Sequence, residues 1–415
     1  MKKHLSVLLA CLFVVMIGFG ITLPVLAFYV ERLALADGAS RRVIVMHVTL
    51  LTGVYALMQL VFAPVWGRWS DRIGRRPLIL LGIAGYVVAQ VMFGLSRSLW
   101  LLYASRIVGG ILSSATLPAA AAYVVDMTTK DERSRGMAWL GTATSLGVVV
   151  GPALGGLLSR RDWHLTGSAW HLKVDGFSTP FFVAAILGLL TLFAALRWLP
   201  ESLPATSGPD ALAVNAPTGR PMTWRTLVRT LAPLLLLSFA GQLALAMFEG
   251  TFSLFAQARF NYGPADVGYV FVVCGLVMTV LQTGVVGFLS GKVNEMTQIG
   301  TGFAAMGAGI ALLATAQTRI LVLAFVALLS SGMAFIAPNL SALVSTRAGA
   351  RRAGASLGIQ GSANSLAQAV GPLLGGVLFL WQQTVPYLAG GTLLVALAAT
   401  IGWKARKGTR GPELA

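Results

Sequence analysis

The chain has 415 residues, 56% of them hydrophobic and 11% charged, with mean hydropathy +0.78 and a formal net charge of +17. So little charge cannot clothe a water-soluble core, because a soluble surface carries far more; a polytopic membrane protein is implied. The basic excess is spread over several short loops rather than gathered on one face, which excludes a nucleic-acid surface and suits anionic lipid headgroups.

Apolar runs long enough to cross about 30 Å of hydrocarbon, roughly 20 residues each, predict helices over 5–30, 43–66, 77–95, 98–125, 135–158, 179–199, 227–256, 265–289, 297–316, 319–345, 353–380 and 385–403. These make twelve transmembrane spans in an all-α integral membrane fold; no alternating pattern of a β-barrel competes with them. The first run contains "LLAC" ending at Cys11, the form of a lipoprotein signal, but apolar sequence continues well past that cysteine and the run is read as a span. Cys274, the other cysteine, also falls in a span, so no disulfide is expected. With the N-terminus inside, twenty-one Lys and Arg fall on inner segments, nine on outer ones, and one, Arg106, within a span. Both termini are expected to be cytoplasmic.

Between spans 2 and 3 stands "GRWSDRIGRRP", which concentrates Gly67, Asp71, Arg72, Gly74, Arg75 and Arg76 in one turn. A basic inner anchor would account for its charge but not for the spacing of glycines, Asp and Arg. Span 5, "GTATSLGVVVGPALGGLL" (141–158), aligns with "GSANSLAQAVGPLLGGVL" (361–378) at an offset of 220, with identity at 11 of 18 positions, and Pro118 finds Pro338 at the same offset. The chain is therefore a repeat: an N-terminal six-helix bundle over 1–199, a Pro- and Gly-rich cytoplasmic linker over 200–226, a C-terminal bundle over 227–404 and a tail over 405–415. In span 5, Gly147, Gly151, Pro152, Gly155 and Gly156 lie on or near one face, matched by Gly371, Pro372, Gly375 and Gly376; small residues let helices approach and proline kinks the backbone. Between spans 5 and 6, segment 159–179 repeats Trp-His at Trp163–His164 and Trp170–His171. Without a Cys or carboxylate cluster the pattern reads as an interfacial flap with Trp at headgroup depth rather than a metal site.

The loop pattern Gly67, Asp71, Arg72, Gly74, Arg75, Arg76 resembles the signature loop of the major facilitator superfamily, and the resemblance extends along nearly the whole chain. Arg106 and Gly110 in "LYASRIVGGILSSATLPAAAAYVVD" look like that superfamily's fourth-span motif, and "GVVVGPALGG" (147–156) resembles its fifth-span antiporter motif. "GFGITLPVLAFYVE" and "SFAGQLALAMFEGTFSLFAQARFNYGPADVGYV" are similar to the drug/proton antiporter subfamily, most of all to quinolone-type multidrug pumps, with tetracycline exporters second. Departures include Val15 near the place where tetracycline exporters carry an early acid, and a degenerate second-half loop, "GFLSGKVNE". The resemblance implies two pseudo-symmetric six-helix bundles, a bacterial cytoplasmic membrane location, no cofactor beyond a proton gradient, and a monomer whose partners are protons, membrane lipid and a small lipophilic substrate. It further implies a conformational latch, in which Asp71 docks on the start of span 11 near Ala353 and Arg75 pairs with Asp126 at the end of span 4.

Of 14 acidic residues only Glu249 sits well inside an apolar run. A charge near the bilayer centre costs roughly 2.5 to 3.5 kcal/mol by insertion scales, and a desolvated carboxyl favours its neutral form, so Glu249 is expected to couple protons and bind cations; a quiet hydrogen bond or outward snorkelling is the structural alternative. Arg106 either ties helices together or tunes protonation in the cavity. Met247, Phe248, Phe252, Phe255 and Gln242 offer polarizable, aromatic and amide surface beside the acid, suited to planar lipophilic cations, with Tyr55, Gln59, Asn339 and Asn364 as second-rank lining residues. The reading is proton-coupled export by alternating access. A lipid or glycolipid flippase of the same fold is the alternative, then a metabolite or sugar transporter. An ATP-driven pump lacks its phosphate-binding loop, and four histidines near span ends or in loops make no enzyme site.

Overall fold

The computed structural model describes residues 3–129, 132–159, 165–166, 173–174, 176–202, 224–289, 292–348 and 353–408. Within them the chain is almost wholly helical: α1 Lys3–Ala36, α2 Arg41–Ile73, α3 Arg75–Gly94, α4 Leu99–Ser113, α5 Thr116–Met127, α6 Arg133–Leu158, α7 Thr179–Trp198, α8 Trp224–Phe260, α9 Pro264–Val280, α10 Gly287–Leu289, α11 Glu295–Leu313, α12 Arg319–Ala348, α13 Ala353–Trp381 and α14 Val385–Gly408. Between α6 and α7, Leu165–Thr166 pairs antiparallel with Lys173–Val174. Trp163, His164, Trp170 and His171 lie outside the described residues.

Among the described residues eleven helices are long and apolar enough to cross a membrane, α4 and α5 counting as the single span Leu99–Met127. That span is interrupted at Ser114–Ala115, just before Pro118. The proline has no N–H to offer the Ser114 carbonyl a turn earlier, and the Ser114 hydroxyl lies 2.7 Å from the Ile111 carbonyl. Its repeat counterpart Pro338 sits inside the unbroken α12. The expected eighth span is carried by α9, a π-helical turn over Leu281–Val286 and α10; its purely α-helical part, Pro264–Val280, is apolar but short. The Asp266 carboxylate caps α9 by accepting from the Gly263 N–H at 3.0 Å.

The chain separates into two compact units, one of Met1–Val25 with Val54–Trp224, the other of Leu26–Gly53 with Arg225–Ala415. This grouping differs from the expected bundles of 1–199 and 227–404 in one place, Leu26–Gly53. The local reason is close packing of α2 on α13: a Cβ on Gly53 would lie 2.8 Å from the Ala369 carbonyl, and one on Gly376 2.6 Å from the Thr49 methyl.

Each unit repeats one packing plan. In the first, α3 packs on α4, α5 and α7; in the second, α11 packs on α12 and α14. Both hubs rely on small residues, with Gly82 against Thr116 and Gly188 against Tyr86 in one, Gly302 against Gly332 and Gly307 against Gly391 in the other. The repeat also shows in the glycine ridges. In α6, Cβ atoms on Gly147, Gly151 and Gly155 would lie 2.5 Å from Phe13 O, 2.5 Å from Ile17 O and 2.7 Å from Ile21 O of α1. In α13, the same additions to Gly371 and Gly375 would meet Leu243 O at 3.1 Å and Met247 O at 3.2 Å in α8. Ile17 thus answers to Leu243, Gly20 to Ala246 and Ile21 to Met247, an offset of 226 between these helices where α6 and α13 are offset by 220. Pro152 abuts Gly20 and Pro372 abuts Gly250, while Gly156 is buried.

Candidate functional site

The turn between α2 and α3 is built around Gly74, whose φ of 112° belongs to the region open to glycine. A side chain there would also strike the Glu201 carboxylate, 2.5 Å from the added Cβ. Helix α3 has no capping side chain of its own at Gly74. Its first N–H groups are satisfied from a distance: Glu201 accepts from the backbone N–H of Arg75 at 2.9 Å and of Arg76 at 3.2 Å. A carboxylate on the positive end of a helix is favourable both as a hydrogen-bond acceptor and as a charge.

Around this corner the buried Arg75 is held through its Nε and Nη1. Its Nε donates to Asp126 at 3.0 Å and its Nη1 to Ser70 at 3.1 Å and to Asp71. Ser202 adds a bond to Asp126 at 3.2 Å, and Arg76 Nη2 donates to the Leu196 carbonyl at 2.8 Å. The Arg75–Asp126 pair expected from the sequence is therefore formed, together with an Asp71–Arg75 pair one turn apart. Asp71 keeps 67% of its side chain exposed, and Arg72 is exposed. Gly67 has no atom within 4 Å of an added Cβ, so packing does not demand a glycine there. The expected dock of Asp71 on the start of span 11 adjoins 349–352, outside the described residues. Glu201 falls in the linker expected over 200–226. It is exposed, but its carboxylate holds the first turn of α3.

Within the first unit, Arg106 is buried against Tyr55, its Cζ 4.6 Å from the ring centroid. Gln59 donates to the Tyr55 hydroxyl at 3.3 Å, so Tyr55, Gln59 and Arg106 form one group. Gly110 permits it, since a Cβ there would lie 2.8 Å from the Tyr55 carbonyl. Arg106 and Tyr55 line a cavity of about 30 Å³ with Tyr86, Gln90, Thr22 and Ser113, room for about two waters.

In the second unit Glu249 sits half-buried on α8. Among the described residues it makes no hydrogen bond or ion pair. On the neighbouring α9, the Cys274 sulfur lies 2.9 Å from the Ser330 hydroxyl of α12. Two turns along α8 from Glu249, Gln242 lines a cavity of about 60 Å³ with Asn364, Gln360 and Ser238. Gln360 donates to Ser238 at 3.0 Å, whereas the buried Asn364 Oδ1 has no partner among the described residues.

The remaining expected lining residues are placed elsewhere. Phe248, Phe252 and Phe255 are buried in an aromatic core: Phe248 lies 5.0 Å and Phe271 5.7 Å from Phe252, and Tyr387 lies 4.7 Å from Phe255 between ring centroids. Met247 is buried on the ridge that receives Gly375. The spacing of these residues makes one face, as expected, but that face is turned into protein, where rings gain more by packing than by waiting for a ligand. Asn339 is likewise committed, donating to Gln298 at 3.1 Å and to the Phe335 carbonyl at 2.8 Å, and it is not among the residues of the Gln242 cavity. No group of three metal-ligating side chains occurs among the described residues.

These features can be set beside known proteins. The family described as Major Facilitator Superfamily matches residues 8–372. The chain belongs to that superfamily. It is 29% identical over 412 residues to Multidrug resistance protein 2 of Bacillus subtilis (strain 168), covering 98% of this chain and 96% of the relative. It is 30% identical over 381 residues to Tetracycline resistance protein, class B, of Escherichia coli, covering 92% and 89%. Among solved structures, the human organic anion transporter MFSD10 (TETRAN) superposes with a TM-score of 0.70 at 22% identity, over 96% of this chain and 99% of that one. A POT family transporter superposes with a TM-score of 0.77 at 15% identity, over 98% and 96%, a likeness of fold alone. The protein is thus a multi-pass major facilitator transporter similar to multidrug and tetracycline efflux proteins.

Proposed function

We propose that this transporter exports small lipophilic molecules, cations above all, in exchange for protons across the bacterial cytoplasmic membrane, with both termini cytoplasmic. The observation that carries the reading is Glu249, the one acid deep in a span, set without an ionic partner among the described residues. An intramembrane carboxyl of this kind can hold a proton or face a cation, and the two compete for it. The resistance names of the relatives support efflux as the direction. Gln242 and Asn364, which share the largely apolar cavity two turns away, are the proposed substrate contacts; Arg106 with Tyr55 and Gln59 sets the charge balance in the other unit.

The Arg75 cluster is the proposed latch. Asp71 and Asp126 hold one guanidinium from two helices while Glu201 fixes the start of a third, so the corner moves as a block. A coupling of about 1 to 3 kcal/mol is enough to bias a two-state transporter.

The test is reconstituted transport with pH gradient and membrane potential clamped independently. Exchange of one proton for one monovalent cation moves no net charge, so export of ethidium responds to the pH gradient, worth about 1.4 kcal/mol per unit, and ignores a potential worth roughly 2.3 kcal/mol per charge at 100 mV. Glu249→Gln abolishes pH-driven uphill export while leaving downhill exchange of a neutral substrate. Full uphill export by that variant removes Glu249 from the mechanism; transfer of labelled lipid in place of ethidium makes the protein a flippase.

A further inference from the structure

At the end of the second unit where α2 begins and α8 and α13 finish, a broad cleft of about 1010 Å³ opens among residues of those three helices and of the connection 382–384 that leads into α14. Three arginines, Arg41, Arg42 and Arg259, line it, and no acidic residue does. None of the three pairs with a carboxylate among the described residues; Arg259 instead lies over the Phe255 ring, 5.8 Å from its centroid. Of the two acids that precede α2, Glu31 already accepts a hydrogen bond from Gln257, and Asp37, exposed in the turn four residues before Arg41, forms no ion pair among the described residues and does not line the cleft. The start of α2, with Arg41 and Arg42 in its first turn, adds N–H groups that have no helix carbonyl before them; at α14 the Val385 N–H is taken by the Gln382 carbonyl and Pro386 has none.

The cleft is also graded with depth. On α2, Arg42 is followed one turn deeper by the exposed Met46; on α13, the 86% exposed Trp381 is followed one turn deeper by Val377, itself 67% exposed. Cationic rim, interfacial tryptophan and open apolar floor descend together on two helices. A soluble phosphate would use only the rim, whereas a phospholipid uses all three levels, its phosphodiester on the arginines and its acyl chains along Met46 and Val377.

We infer that this cleft is a binding site for the headgroup of an anionic phospholipid. It involves no residue of the proposed proton site and stands whether or not the export reading holds. Each arginine contributes roughly a five-fold gain in relative association with an anionic headgroup over a zwitterionic one.

The full chain is reconstituted in phosphatidylcholine vesicles carrying, at matched mole fraction, either brominated phosphatidylglycerol or brominated phosphatidylcholine, and tryptophan quenching is read with and without Trp381→Phe to isolate that side chain. Quenching of Trp381 is expected to be several-fold stronger by the anionic lipid, and Arg41→Gln/Arg42→Gln/Arg259→Gln is expected to bring the two lipids level. A variant in which all three are Lys keeps most of the preference, which separates loss of charge from loss of fold. Inorganic phosphate in the buffer is expected to leave the preference intact. Equal quenching by both lipids in the native chain, a preference that survives the triple Gln variant, or displacement by inorganic phosphate alone would overturn the assignment.

Discussion

Alanine at Gly151 and alanine at Gly141 test the packing of α6 directly, because the two positions share a helix and differ in what they face. At Gly151 the new Cβ would lie 2.5 Å from the Ile17 carbonyl oxygen and 2.7 Å from the Gly20 Cα, both backbone atoms that no rotamer can move aside. Restoring ordinary contact near 3.5 Å requires α1 and α6 to part by roughly 1 Å, and overpacking of this kind costs about 1 to 3 kcal/mol. At Gly141 an added Cβ meets nothing within 4 Å, so alanine there gains about 0.5 to 1 kcal/mol by restricting the unfolded backbone. The two variants should differ by about 1.5 to 4 kcal/mol. The repeat supplies an internal replicate: Gly361 also faces open space, while a Cβ on Gly371 would meet the Ala246 methyl at 2.6 Å and the Leu243 carbonyl at 3.1 Å, a softer clash. Equilibrium unfolding in mixed SDS and non-ionic micelles should therefore rank Gly151→Ala as least stable, then Gly371→Ala, with Gly141→Ala and Gly361→Ala at or above the native chain. If Gly151→Ala is as stable as the native protein, or Gly141→Ala is equally damaged, the glycine ridge does not hold these helices together.

Three further outcomes follow from the polar contacts. Glu201→Ala strips two acceptor bonds from the start of α3, a loss of about 1 kcal/mol at an exposed position, and should raise hydrogen exchange at the Arg75 and Arg76 amides about five-fold, with Glu201→Gln intermediate. Arg75→Lys keeps the charge but cannot span Ser70, Asp71 and Asp126 together; vesicle transport should fall while membrane insertion is unchanged, and adding Asp126→Asn should cost little more. Tyr55→Leu removes the ring beneath Arg106, worth about 1 to 2 kcal/mol when desolvated, whereas Tyr55→Phe loses only the Gln59 bond; thermal unfolding should separate the two, and equal damage would mean that the ring face is not what Arg106 uses.

Length and hydropathy were enough to locate the spans, because a membrane admits few ways to satisfy a backbone, and the Arg75–Asp126 pair was anticipated through the resemblance of the loop to the superfamily's signature. Other features were hidden for physical reasons. Residues 248, 252 and 255 share a helical face, but periodicity is silent on whether that face meets a cavity or Phe271 and Tyr387. Glu201 lies 126 positions from the amide it holds; the available signal was negative, a helix beginning after Gly74 with no Ser, Thr or Asp to cap it and so in need of a distant acceptor. The 226 offset of α1 and α8 was masked by divergence and emerged only from which carbonyl each glycine meets.

That offset shows how the two copies have parted since duplication. It sets Leu23 opposite Glu249, and the 220 offset sets Val326 opposite Arg106. Each half carries one intramembrane ionisable side chain where its sibling has hydrocarbon, a base in the first and an acid in the second. A protein assembled from two first halves would hold a pair of buried bases with no buried acid, and one from two second halves a pair of acids with no base. The two halves are thus complementary in their ionisable groups although they share one packing plan.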